Sequence, residues 1–306
     1  MSFFQEEAAI AECLVPVGGD ERKIACDRFD TARYRDPNRF ELEQSRIFAG
    51  LPLPLRHCSE ITRHGAAGEV SFGGFVWSSG SEPAKLEEKP NVSIEAKMKA
   101  KIAAFLGGAL LQDLQAIDLS GHRVVATSTR DWRMNWKLAI EAALESYHFR
   151  VAHAKTIGGR FADRAGSFLR MQRHNRFIVP RREAPAAIRC RSLRDIAFVT
   201  YSIFPNSLLF VNRRHCDWMR VVPLAPGRSR LVIQTLMPRS RAADSRRARE
   251  YARVNHEFTR AIVAEDSEIN ESQQANFEAN PGVPVFFGGM EGALTEFNRQ
   301  IDAMLV

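Results

Sequence analysis

Apolar and polar positions change rhythm several times along this chain, and each change marks an element. The stretch opening "DRFDTARYRDPNRF" predicts an extended lead-in and a short helix over about Arg39 to Ile47, entered after Pro37 and closed by Pro52 and Pro54. "EVSFGGFVWSSGSEP", with β-branched and aromatic residues between Gly and Ser, predicts a strand running into a loop. "SIEAKMKAKIAAFLGGAL" predicts a helix stopped by Gly107 and Gly108. Alternation returns in "HRVVATSTRDWRMNW", a strand, and gives way to "KLAIEAALESYHF", rich in the best helix formers.

Four runs then read as strands, at 167–179, 196–203, 208–222 and 230–237, joined by "RREAP", "FPNS" and "LAPGRS". Connectors that short imply antiparallel pairing. From Ala242 to about Phe277 the chain has neither Gly nor Pro and predicts one long helix, and a last short helix follows "PGVPVFFGG". The expected class is α+β, an antiparallel sheet with the long C-terminal helix laid over one face. No internal repeat or low-complexity tract appears.

Composition changes this picture little. At 306 residues, 45% hydrophobic and 26% charged, the chain can bury a core without staples. Its five cysteines are odd in number, scattered and free of any C-x-x-C pair, so a disulfide framework and a zinc site are not expected and a reducing cytoplasm is. Glu6 and Glu7 stand where a secretory peptide would carry lysines, and no run reaches the roughly 18 to 20 apolar residues a bilayer demands. The net charge of +7 raises the question of an anionic partner. Its arginines concentrate in "PRREAPAAIRCRSLRD" and "PRSRAADSRRARE", where interleaved acidic residues and the lack of an aromatic platform favour solvated faces or an acidic partner protein over nucleic acid.

The candidate chemistry lies in "ESYHFRVAH", where His148 and His153 stand five positions apart beside Glu145. Two histidines and one carboxylate on one face of Fe(II) leave positions for O2 and substrate. Five residues of ideal helix turn through about 500°, leaving the two side chains about 140° apart, so a shared ion requires the helix to distort or end between them. The structural alternative makes His148 a core histidine and His153 a C-terminal cap.

The longer run resembles the catalytic α subunits of Rieske-type non-haem iron oxygenases, whose characteristic segment reads approximately N-W-K-x-x-x-E-N-x-x-[ED]-x-Y-H-x-x-x-x-H. Asn135, Trp136, Lys137, Glu141, Glu145, Tyr147, His148 and His153 occupy that register, with Ala142 where the family often has Asn. The resemblance implies that His148 and His153 are iron ligands. It makes Glu145 the catalytic carboxylate that links the iron histidine to a cluster histidine in a neighbouring subunit. "VAEDSEINESQQANF" is similar to the family's E-D-x-x-x-x-E-x-x-Q segment and implies Asp266 as third ligand, with Glu265 the alternative. "FFGGMEGALTEFNRQID" and "YRDPNRFELEQSRIF" resemble its ending and lead-in, so the likeness runs from about residue 28 to the C-terminus. The fold it implies is the helix-grip arrangement, START or Bet v 1-like.

One family feature is missing. A Rieske [2Fe-2S] cluster is held by C-x-H and C-x-x-H, and none of Cys13, Cys26, Cys58, Cys190 or Cys216 has a histidine two or three positions later. The expected organisation is a lead-in over 1–67, flanking an excised Rieske domain, and an iron-binding catalytic domain over 68–306. Two functions are implied by the resemblance. One is an oxygenase component using Fe(II), O2 and a small organic substrate, aromatic in the first instance, for hydroxylation or demethylation. Its electrons would come from a separate Rieske protein, ferredoxin or reductase, within a homo- or hetero-oligomer of the trimer-based kind. The other is a ligand-binding or regulatory subunit without turnover. Phe161, Phe168, Phe204, Phe210 and Trp218 are pocket candidates better explained as sheet core, and His174, His215 and His256 are expected at the surface.

Overall fold

The computed structural model describes residues 27–61, 69–78, 80, 92–162, 167–183, 192–240 and 245–306. Residues 1–26 and 62–67 of the expected lead-in lie outside these, as do Cys13, Cys26, Cys190 and parts of both arginine-rich runs. The chain begins with β1 (Asp27–Asp30), α1 (Ala32–Arg35) and α2 (Pro37–Leu42), which continues π-wound to Phe48; β2 (Pro54–His57), β3 (Glu69–Phe72) and β4 (Phe75–Ser78) come after it. Next are α3 (Val92–Ile117), β5 (His122–Trp132), α4 (Trp136–Glu141) and α5 (Phe149–Ala152). After β6 (Ser167–Met171) and β7 (His174–Pro180) stand α6 (Leu193–Ile196), β8 (Ala197–Ile203), β9 (Ser207–Val211), β10 (Cys216–Ala225) and β11 (Arg228–Pro238). The chain closes with α7 (Arg246–Ala279), β12 (Pro284–Phe287) and α8 (Gly292–Leu305).

Seven strands form one antiparallel sheet in the order β5-β11-β10-β9-β8-β7-β6. The α+β architecture is therefore as the pattern predicts. Two of the four predicted strands, however, are hairpins. The run 167–179 folds back at Gln172, a non-glycine at φ 59°, and the run 208–222 folds back where Asn212 N–H donates to the His215 carbonyl. Neither tip carries an Asn-Gly or Asp-Gly turn signal, which is why each pair looks like one long strand. "EVSFGGFVWSSGSEP" is likewise a hairpin, β3–β4, turning on Gly73 and Gly74, both at positive φ.

Alternation along the strands sorts side chains onto two faces. Val199, Tyr201, Leu209, Val211 and Trp218 meet Ile102, Leu106, Leu110 and Leu114 of α3 in one core. Leu208, Met219, Leu231 and Ile233 point the other way, toward α4, α7 and α8. The sheet is thus covered on both faces, not one. Gly107 breaks α3 as expected, non-helical at φ 72° and ψ 159°, but a second helical stretch follows it at a kink and runs on to Ile117. Contrary to the sequence-based expectation, Ile94–Gly121 is long and apolar enough to cross a membrane by length and composition alone. Its apolar face is the one packed in the first core.

The lead-in is stitched to the end of the chain. β1 pairs with β12, Arg33 and Arg39 reach Asp302 of α8 at 2.9 and 2.5 Å, and Tyr34 and Ile47 are buried with Trp136 and Phe297. Segments from both ends of the chain therefore close over α4, the element that leads into the histidines.

Candidate metal centre

The "NWK" run builds an anchor. The Asn135 side chain caps α4 by accepting from Lys137 N–H at 3.0 Å, and its amide donates to the carbonyls of Tyr34 and Pro226. Lys137, fully buried, lies 2.6 Å from Glu43, which also accepts from Trp136 Nε1 at 2.8 Å. Burial outweighs the attraction of Glu43 and lowers the Lys137 ammonium to about 8. One turn on, Glu141 accepts from the Tyr34 hydroxyl at 3.0 Å and the Asn298 amide at 2.7 Å; burial raises its carboxyl above the ordinary value.

Beyond Glu141 the helix predicted through "AALESYHF" ends. Residues 142–148 are irregular, with turns at 142–143 and 147–148, and α5 is a single turn with His148 at its N-cap and His153 at its C-cap. The intrinsic preference of Ala142, Ala143 and Leu144 for helix is overridden by tertiary contacts. Tyr34 and Asn298 hold Glu141, and the Glu145 side chain turns back to accept from His148 N–H at 3.2 Å. The break removes the angular obstacle an unbroken helix would impose, and the two Nε2 atoms come within 3.3 Å.

Asp266 projects from α7 toward the same point. Its Oδ1 lies 3.0 Å from His153 Nε2 and 3.6 Å from His148 Nε2, and ligand atoms of the three residues all fall within 4.8 Å of one another. Glu265, the alternative in the sequence, turns elsewhere: its Oε2 is 2.8 Å from His153 Nδ1 and accepts from Thr156 Oγ1 at 2.6 Å. His148 Nδ1 is bonded to Glu145. A carboxylate can only accept, so each Nδ1 carries a proton, and in the neutral ring each Nε2 presents a lone pair.

With both rings neutral, three acceptors crowd one point that a cation would join. That donor set, two imidazoles steadied from behind by carboxylates plus one free carboxylate oxygen, fits a divalent transition metal such as iron. Burial alone would lower the His153 pKa, but Asp266 and then Glu265 outweigh it and raise it above the ordinary imidazole value.

A cavity of about 190 Å³ opens beside the cluster, between α7 and the inner sheet face. Phe198 and Thr200, Leu208 and Phe210, and Asp217 and Met219 line it in i, i+2 pairs, as the pleat requires. Of the pocket candidates, Phe161 and Phe210 line it, Phe204 and Trp218 are core, and Phe168 is exposed. The three spare histidines are not at the surface. His174, His215 and His256 are all buried, because each has hydrogen-bond partners inside the fold that sequence context does not reveal. His215 and Asp217, 3.1 Å apart, belong to the cavity wall. Their H-x-D spacing at the start of one strand was the available signal.

Residues 119–306 match the family described as the ring hydroxylating α subunit, catalytic domain. No curated protein sequence matches the chain. In fold, the chain is similar to the quaternary ammonium Rieske monooxygenase CntA in complex with an inhibitor, at TM-score 0.71 and 12% identity over 100% of both chains. A further structure of such a monooxygenase, described in terms of carnitine oxidation by gut microbiota and inter-subunit electron transfer, aligns at TM-score 0.69 and 12% identity, again over 100% of both chains. Naphthalene 1,2-dioxygenase from Rhodococcus sp., bound to indole, aligns at TM-score 0.63 and 12% identity over 91% of this chain and 94% of that one.

Proposed function

The chain belongs to the ring-hydroxylating α-subunit family through its catalytic domain, and we propose from that premise that it is a non-haem iron oxygenase component supplied with electrons by a separate Rieske or ferredoxin partner. The observation that carries the proposal is the convergence of His148 Nε2, His153 Nε2 and Asp266 Oδ1 on one point. In this reading those three residues hold Fe(II), and Glu145 is the catalytic carboxylate behind His148. Iron bound there would supply O2 activation for hydroxylation or demethylation of a small organic substrate.

The chain's own residues supply the rest. Glu145 and Glu265 hold the imidazole protons on Nδ1, which keeps both Nε2 atoms available. Phe149, Ile262 and Val263 form the apolar wall next to the cluster and keep bulk water from the substrate side. On the opposite side Glu145 lines a hollow rimmed by Tyr147, Ile269 and Phe286, all substantially exposed. An apolar rim around a carboxylate that touches the metal histidine supports docking of the electron donor there. Inter-subunit electron transfer is described for a similar quaternary ammonium Rieske monooxygenase.

A second reading, a binding subunit without turnover, is favoured by one observation: no cysteine has the C-x-H or C-x-x-H setting that a Rieske cluster needs. Anaerobic loading with Fe(II) tests the first reading. About one iron per chain, no acid-labile sulfide, and loss of iron in His148→Ala, His153→Ala and Asp266→Ala with the circular dichroism intact are the expected results. Retention of iron by these variants would sink the assignment. Loaded protein that stays inert with every Rieske or ferredoxin donor and reductase offered would leave the binding-subunit reading standing.

A further inference from the structure

The cavity has two chemically different ends. Along α7 its wall runs from Asp266 back to Tyr251, fifteen positions or about 22 Å of helix at 1.5 Å per residue. Near Tyr251 three arginines, Arg160, Arg181 and Arg213, face the cavity from three different segments. Two are accounted for. Arg213 reaches Asp195 at 2.5 Å, and Arg160 stacks over the Phe258 ring at 4.7 Å.

Arg181 is different. Its guanidinium lies 5.3 Å from the centre of the Phe161 ring, half-buried, and among the described residues no carboxylate pairs with it. Burial first, and then Arg213 and Arg160, press its pKa below the ordinary arginine value, against weaker attractions from Glu183 and Tyr251. A cation held among like charges beside an apolar cavity is an unfavourable arrangement that an anion would relieve.

The acidic group at this end offers nothing to a cation. Asp217 Oδ1 accepts from Thr235, and Oδ2 from Asn212, Thr259 and His215, so its oxygens are saturated by the wall itself. At this end of the cavity the free charge among the described residues is therefore positive, and it has the planar fork that matches a carboxylate through two parallel hydrogen bonds.

The geometry points to a substrate class: an organic carboxylate whose apolar body lies along the phenylalanine wall, with Arg181 as the residue that recognises its charged end. The metal cluster then faces the far end of that body. This deepens the oxygenase reading, and rests on it only for the chemistry after binding.

Binding is measurable without iron, so the two readings can fail separately. Titration calorimetry would compare 2-naphthoate with its uncharged amide and with a naphthylmethyl trimethylammonium ion, on wild type, Arg181→Gln, Arg181→Lys and, as a control, Arg173→Gln on the exposed β6–β7 turn. The carboxylate is expected to bind at least about tenfold more tightly than the amide. Arg181→Gln should erase that preference while leaving the amide unchanged, Arg181→Lys should lose part of it, and Arg173→Gln should keep all of it. Equal or tighter binding of the amide or the cation, no carboxylate binding at about millimolar concentration, or an unaffected Arg181→Gln would each overturn the proposal. Melting curves without ligand check the fold; if Arg181→Gln does not fold, the wild-type ratio and Arg181→Lys decide. Iron content, assayed in parallel, reports on the metal reading alone.

Discussion

Glu265 and Asp266 are consecutive in the chain and grip the two edges of one imidazole: Glu265 Oε2 lies 2.8 Å from His153 Nδ1, and Asp266 Oδ1 lies 3.0 Å from Nε2. A helix turns neighbouring side chains about 100° apart, so adjacent carboxylates can embrace a ring entering from the side. One faces the acceptor cluster, and the other steadies the ring that belongs to it.

Substitution of Glu265 by Gln keeps the size of the side chain and removes its charge. The expected outcome is an iron affinity lowered by about 10- to 100-fold, with binding retained, because a supporting partner is weakened and no ligand is lost. Competition with a chelator of known affinity reads this directly. An effect as large as that of Asp266→Ala would mean the two carboxylates have been assigned the wrong way round.

Glu145 supports His148 and also faces the outer hollow. For Glu145→Gln the prediction is iron retained to within about 100-fold of wild type but turnover with an external donor reduced further than iron loading explains. Comparing turnover per bound iron separates the two roles, and parallel losses in both would confine Glu145 to support of the histidine.

His174 is fully buried, with Nε2 against the Phe105 carbonyl at 2.9 Å and Nδ1 accepting from Phe204 N–H at 3.0 Å. That pattern fixes the neutral ring, and burial lowers its pKa to about 4. The unfolded chain takes up the proton near the ordinary value of about 6.5, before the folded chain does, so stability falls as pH drops from about 6.5 toward 4. The contribution lost is roughly 3 kcal/mol. Urea titrations across that window should show a flatter pH dependence in His174→Gln, and identical slopes would refute the assignment.

Lys137 and Glu43 are both buried, 2.6 Å apart. Lys137→Met leaves the buried Glu43 carboxylate with Arg39, at 3.2 Å, as its remaining counter-charge, and is expected to cost less than the about 3–5 kcal/mol of a fully unpaired buried charge. Adding Glu43→Gln removes the half-compensated buried charge, keeps an acceptor for Trp136 Nε1 and leaves Arg39 on Asp302, so the double variant should be more stable than the single one. Denaturant midpoints of wild type, Lys137→Met, Glu43→Gln alone and the double variant measure the coupling.

How much of the fold and the site was legible in the sequence depended on how local each cause is. The sheet face and α7 follow from alternation and from a stretch free of Gly and Pro, both readable over a short window. Asp266 was reachable because its neighbours resemble a family segment. The hairpin at Gln172 was hidden because the turn uses a non-glycine at positive φ. The end of α4 was hidden because its cause, Tyr34 and Asn298 closing on Glu141, arrives from 107 and 157 positions away. Arg181 was hidden for the same reason: what makes it notable is the missing partner, which only a fold can display.

The single-turn α5 has a mechanical consequence. His148 and His153 cap a single helical turn that follows an irregular stretch, while Asp266 sits in the longest helix among the described residues. Any cation shared by the three cross-links the two, closing a covalent-like loop of more than a hundred residues through most of the sheet. Occupancy should then be visible as slowed amide exchange across residues 142–162, so the ion acts as a rivet as well as a reagent.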